Sequence, residues 1–119
     1  MQQRSIVEAM SAQDRRRFLP PEVAGFHDRD RPLPIGHGQT NSQPSTVAAM
    51  LDLLEPFPGM RALDVGSGSG WTSAILGELG GADSRIFAVE RIPELVERSR
   101  EAIDQPWVSV HRASPDALG

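Results

Sequence analysis

The residues of this chain best suited to chemistry lie in Leu63-Asp64-Val65-Gly66-Ser67-Gly68-Ser69-Gly70-Trp71. Three glycines at alternate positions let the backbone turn sharply and approach a ligand closely. An apolar run precedes them and a helical pattern follows, so the loop falls where a helix N-terminus offers free N–H groups. The next apolar run, Arg85-Ile-Phe-Ala-Val-Glu90, ends on an acid 20 residues after Gly70. A carboxylate there can accept both hydroxyls of a ribose. Loop and acid together predict an adenosine-type cofactor. The plain alternative is a glycine-rich turn with no ligand.

The spacing sharpens the prediction. The dinucleotide fingerprint is G-x-G-x-x-G, which brings a pyrophosphate onto the helix N-terminus. Here the glycines fall at 66, 68 and 70, with Asp64 two residues before the first. An anionic side chain beside the loop disfavours a pyrophosphate. It favours a ligand with a positive charge, such as the amino group of S-adenosylmethionine. A P-loop is excluded because the chain contains no lysine.

A second polar cluster is Gly36-His37-Gly38-Gln39-Thr40-Asn41-Ser42-Gln43-Pro44. Thr40 and Ser42 can donate to a carboxylate. Equally, Ser42 or Gln43 can cap the helix that begins at Pro44. His37 can serve as a general base or sit as a solvated, structural histidine. The spacing of His27, Asp28, Asp30 and His37 fits no metal-ligand pattern, and no metal is expected. Trp71 and Trp107 read as core or cofactor-flanking aromatics. Arg15-Arg16-Arg17 reads as a solvated helix face.

These groups must be positioned by regular elements. Residues 1–43 form a polar arm rich in breakers, with prolines at 20, 21, 32 and 34. It is expected to be mostly irregular or helical, with a short helix over 6–10 and Ile6, Val7 and Met10 on one side. An ordered loop is expected over 32–44. From Pro44 the pattern becomes regular. Val47, Met50, Leu51 and Leu54 fall at i, i+3, i+4 and i+7, one apolar stripe of a helix that Pro56, Pro58 and Gly59 end. A strand over 61–66, a helix over 71–79, a strand over 85–90, a helix over 93–103 and a strand over 107–111 follow. Glu94 and Arg98 are spaced as a supporting i,i+4 pair. Strand–helix–strand–helix–strand implies parallel strands with right-handed crossovers. The fold class is therefore α/β: the N-terminal half of a doubly wound, Rossmann-like sheet, over 44–119, preceded by the arm.

Composition narrows the function classes. The 119 residues are 39% hydrophobic and 24% charged, the profile of one globular domain. A net charge of -4 argues against a nucleic-acid partner or an anionic membrane held by bulk charge. All 12 basic residues are arginine, but they are scattered. Without cysteine, thiolate nucleophiles and cysteine-ligated zinc are excluded. No apolar run approaches the ~20 residues of a membrane span. The N-terminus leads into no apolar h-region, so a cytoplasmic protein is expected.

Three segments resemble a known family in order and spacing. They are Asp-Arg-Pro-Leu-Pro-Ile-Gly-His-Gly-Gln-Thr-Asn-Ser-Gln-Pro (30–44), Pro58-Gly59-Met60-Arg61-Ala-Leu-Asp-Val-Gly-Ser-Gly-Ser-Gly70, and Val89-Glu90-Arg91-Ile-Pro-Glu-Leu95. They are similar to the protein-L-isoaspartate O-methyltransferases, and the likeness covers most of the chain. It implies methyl transfer from S-adenosylmethionine to the free carboxylate of isoaspartyl residues in damaged proteins. It makes Ser42 the active-site serine and brings Gln39, Thr40 and Asn41 to the cofactor. It assigns Asp64, Gly66, Ser67, Gly68 and Gly70 to the methionine part, and Glu90 with Arg91 to the ribose edge. Two departures stand out. Asn41 occupies a position that is usually apolar. The Gly-Asp-Gly usual after the third strand is replaced by Arg112-Ala-Ser-Pro-Asp-Ala-Leu-Gly119, where Ser114 or Asp116 are the candidates for the adenine amine. The family's sheet has more strands than the three read here. The first strand would then present an open pairing edge, which leaves two further possibilities. One is a second chain that completes the sheet. The other is a truncated, non-catalytic cofactor-binding module.

Overall fold

The computed structural model describes residues 5–114. Helix α1 (Ile6–Ala12) starts at a capping box. The Ser5 hydroxyl accepts from the Glu8 amide, and the Glu8 carboxylate accepts from the Ser5 amide. Its inner face differs from the expected one. Ala9 is buried, Ile6 and Met10 are half-buried, and Val7 is exposed to solvent. Two short 3-10 turns follow, Arg15–Phe18 and Ala24–Phe26.

The segment expected as a loop is a β-hairpin. Strands β1 (Leu33–Gly36) and β2 (Gln39–Asn41) pair antiparallel around Gly36-His37-Gly38, all three at positive φ. Residues 33 and 35 turn inward and 34 and 36 outward. Pro34 is tolerated because a two-stranded ribbon is all edge.

Helix α2 (Pro44–Leu54) starts with Pro44 in its first turn. Neither Ser42 nor Gln43 caps it. Instead, Asp30 reaches across and its carboxylate accepts from the Ser45 amide at 2.8 Å. Of the apolar stripe, Val47 and Leu51 are buried, whereas Met50 and Leu54 remain exposed.

The main sheet holds β3 (Arg61–Val65), β4 (Arg85–Glu90) and β5 (Val108–Arg112) in that order, all parallel. Helix α3 (Trp71–Gly80) connects the first pair and α4 (Pro93–Ala102) the second. Ile86 packs with α3 residues, and Ala88 packs with Val96 of α4. Two residues apart on one strand, they share a face, so both helices lie on the same side of the sheet. The predicted Glu94–Arg98 pair does not form. Glu94 lies 3.2 Å from His37, and Arg98 donates to the Ile35 carbonyl. The main core spans the arm and the later elements, joining Ala9 and Phe18 to Val47, Trp71, Ile75 and Leu79. No helix among the described residues is long and apolar enough to cross a membrane.

Candidate cofactor and acceptor site

The glycine loop runs from the end of β3 to the start of α3. Gly66, Gly68 and Gly70 all have positive φ, at 70°, 59° and 95°. Alternate left-handed residues fold the chain back on itself, and only glycine adopts that series cheaply. A side chain at Gly68 would meet Ile35 of the hairpin at 3.3 Å, whereas the space beside Gly66 is open.

The loop's own amides are largely spent on holding its shape. Gly66 and Ser67 donate to the Val89 carbonyl, Gly70 donates to Ser67, and Gly68 donates to the Glu90 carboxylate at 2.9 Å. The expectation of outward N–H groups therefore fails at these four positions. Ser67 does offer one unused group: its hydroxyl is buried with no hydrogen-bond partner in the structure.

Glu90 closes the loop from the end of β4. One carboxylate oxygen takes the Gly68 amide and the other takes the Ile92 amide, each at 2.9 Å. Each oxygen keeps a second lone pair. Arg91 follows, exposed to solvent. The end of β5 lies alongside, with Ala113 donating to the Glu90 carbonyl. Of the two candidates for an adenine contact, Ser114 directly follows this bond, and Asp116 lies outside the described residues.

Asp64 sits beneath the loop on β3. Its carboxylate accepts from the Ser73 hydroxyl of α3 at 2.6 Å. Burial pushes its pKa up, the Ser73 hydrogen bond opposes that shift, and the nearby Glu90 charge adds to it. Ser73 was not anticipated, since one serine in a helical pattern looks like any other.

A cavity of about 310 Å³ brings the two segments together. Thr40, Asn41 and Ser42 line it from the hairpin side, and Asp64, Gly66, Ser67, Gly68 and Ser69 from the loop side. Trp71 is a core residue, as one of its two readings expected, and it also lines this cavity. Gln39 is exposed on the same strand. Ser42 is exposed, and its carbonyl is held by Arg15 at 3.2 Å. Asn41 is buried, between Arg15 and Ser69. Arg15 corrects the solvated-face reading of the arginine run: it is 5% exposed and bonds deep inside the arm. Arg16 does lie outside, paired with Asp14, and Arg17 caps the end of α4 at the Ala102 carbonyl. His37 pairs with Glu94 at the surface and does not line the cavity. No cluster of three metal-ligating side chains occurs among the described residues.

Comparison with known proteins matches this geometry to a family. The model of the Protein-L-isoaspartate(D-aspartate) O-methyltransferase (PCMT) family matches residues 1–113. A protein-L-isoaspartate O-methyltransferase of Aeropyrum pernix is 54% identical over 102 residues, covering 86% of this chain and 39% of that protein. One from Anaeromyxobacter dehalogenans is 42% identical over 119 residues, covering 98% of this chain and 56% of that protein. A solved Plasmodium falciparum protein, described as a beta-aspartate methyltransferase in complex with S-adenosyl-L-homocysteine, superposes with a TM-score of 0.78 at 28% identity. That match covers 93% of this chain and 56% of the other. The chain thus spans roughly two-fifths to just over half of the relatives it matches. A family model that covers nearly the whole chain and relatives at this identity agree: the chain belongs to the protein-L-isoaspartate(D-aspartate) O-methyltransferase family.

Proposed function

We propose that this chain forms the cofactor-binding half of an enzyme that methylates the free carboxylate of isoaspartyl residues in damaged cytoplasmic proteins. The observation that carries the reading is the shared cavity, with Ser42 on one wall and Asp64 and the glycine loop on the other. Its residues fit S-adenosylmethionine. The buried, unpartnered Ser67 hydroxyl awaits a polar group, and the open space beside Gly66 admits a ligand. Asp64 suits the ligand's ammonium group, since a cation relieves the cost of a buried carboxylate. Glu90 has lone pairs left for the ribose hydroxyls, with Arg91 at that edge.

When bound, S-adenosylmethionine would supply a methyl group for the acceptor carboxylate oxygen, with its own sulfur as the leaving group and S-adenosylhomocysteine as the product. No proton moves, so the chain needs no general base. Ser42 donates to the acceptor carboxylate and orients it. The hairpin and loop hold both groups in one cavity, in a fixed relation to each other. Asn41 and Thr40 shape the wall between them.

Calorimetric titration of the 119-residue chain with S-adenosylhomocysteine tests the cofactor half. We expect saturable one-to-one binding that Gly68→Val abolishes, because a branched side chain there meets Ile35 and takes a strained positive φ. A folded chain that shows no binding heat sinks the reading. Methylation of an isoaspartyl peptide tests the acceptor half. Ser42→Ala is expected to keep affinity for S-adenosylhomocysteine and to lose most of the methyl transfer. Unchanged transfer by that variant removes Ser42 from the chemistry.

A second reading draws on the β3 edge, which has no strand partner among the described residues, and on the exposed Leu63, Val65 and Phe87 beside it. The 119 residues would then bind cofactor without turnover until another polypeptide, or a second chain, completes the sheet. Binding without methylation by the chain alone supports this second reading.

A further inference from the structure

We propose that Arg15 is a positioning residue of this site: its buried guanidinium fixes Asn41 and Ser42 of the hairpin against the glycine loop. The inference rests on the reading that hairpin and loop together hold the cofactor. All five N–H groups of the guanidinium are used. Nε donates to Asn41 Oδ1 at 2.6 Å. Nη1 donates to the carbonyls of His27 and Arg29 at 3.1 and 2.9 Å. Nη2 donates to the carbonyls of Arg31 and Ser42 at 2.8 and 3.2 Å. Every one of these acceptors is neutral. A cation buried without a bonded carboxylate is costly, and burial pulls its pKa down, with the Asp30 charge opposing. What the arrangement provides is geometry. A rigid, planar five-donor fork is the one side chain that can join the 27–31 segment to the 41–42 segment in a fixed relation.

The link continues to the other wall of the cavity. An arginine only donates, so Asn41 must turn its oxygen toward Arg15. Its amide nitrogen then faces the loop and reaches Ser69 Oγ at 3.4 Å, a long bond. The guanidinium also lies over the ring of Trp71, the first residue of α3, at 5.4 Å from its centroid. Trp71 is held in turn by its Nε1, which donates to the Gln13 carbonyl at 2.9 Å. One side chain from the arm therefore touches the hairpin wall directly and the loop wall through Asn41 and Trp71. Ser42 follows Asn41, and the bond to its carbonyl fixes the backbone from which its hydroxyl projects.

The test uses hydrogen–deuterium exchange and titration with S-adenosylhomocysteine on the 119-residue chain, Arg15→Lys, Asn41→Ala and Leu79→Ala. Leu79 is a buried core residue of α3 that does not line the cavity, so its variant reports plain destabilisation. Lysine keeps the charge but has three donors and no fork. Arg15→Lys is expected to raise exchange over 39–42 by about tenfold or more, with the main sheet unchanged. Its affinity is expected to fall by a similar factor, while Leu79→Ala lowers Tm and keeps the affinity measured well below its melting point. Asn41→Ala is expected to give the same pattern more weakly. Parent-like exchange over 39–42 in Arg15→Lys overturns the proposal, as does a rise no more localised than that of Leu79→Ala. If Arg15→Lys does not fold, Asn41→Ala decides by the same two comparisons. A parent chain that fails to bind S-adenosylhomocysteine refutes the cofactor reading, while the exchange pattern separately decides whether Arg15 fixes the hairpin.

Discussion

Asp64 carries two opposed demands. Burial raises its pKa, so the folded chain binds a proton there more tightly than the unfolded chain does. Its contribution to stability is therefore most favourable at low pH and declines as pH rises from the unfolded pKa through the raised folded one. Once ionised, the carboxylate is a cost to the ligand-free fold and an attraction for a cationic ligand. Asp64→Asn separates the two effects. Thermal melts at pH 7 should show the variant at least as stable as the parent, since asparagine can still accept from Ser73. Titration with S-adenosylmethionine should show affinity lost by about tenfold or more. A variant that binds as well as the parent removes Asp64 from the site. Residue types and spacing marked Asp64 and Glu90 as candidate site residues, one just before the glycine loop and one at the end of the next strand. Nothing in the types announced Arg15. It stands first in a run of three arginines, and only depth distinguishes it from Arg16.

Helix α3 positions the loop, and close approach to β5 positions α3. A Cβ at Gly77 would lie 2.6 Å from Val108 Cγ2 and 2.7 Å from Gln105 Nε2. Val108 is β-branched and held in the sheet. Gln105 is held too, its Nε2 donating to the Ala74 carbonyl at 2.9 Å. Neither can yield cheaply. Gly77→Ala gains up to about 1 kcal/mol of helix propensity but meets overpacking of about 1–3 kcal/mol. The net expectation is a Tm several degrees lower. An unchanged or higher Tm would show that the α3–β5 seam relaxes. Ser99 makes a related contact from α4, its hydroxyl lying 2.9 Å from the Gly68 carbonyl. The order of these elements was legible in the sequence, because apolar runs, prolines and glycines punctuate it clearly. The hairpin was not legible. Its strands are short, interrupted by Pro34, and carry polar residues whose inward or outward direction depends on pairing.

At the scale of the molecule, α3 and α4 cover one face of the main sheet, and among the described residues the other face is largely open. Leu63, Val65 and Phe87 lie on that open face, 60%, 52% and 40% exposed. Beside them the free edge of β3 has no strand partner among the described residues. Apolar surface next to an open edge promotes association. The 119-residue chain should therefore self-associate in sedimentation as concentration rises. The double variant Leu63→Lys/Phe87→Glu should weaken that association with little change in Tm. Both positions are exposed, and they are direct cross-strand neighbours that can pair opposite charges. Association unaffected by this variant would place the contact elsewhere. The sequence by itself determined the parallel order of the strands, the glycine loop, its acids and the family resemblance, because these depend on local spacing. Only the tertiary structure decided which arginine is buried, that Asp30 rather than Ser42 or Gln43 caps α2, and that the loop spends its amides on Glu90 and Val89. These outcomes depend on which distant segments meet. Contacts such as Arg15 with Asn41, 26 residues apart, form only once the core has fixed the backbone around them.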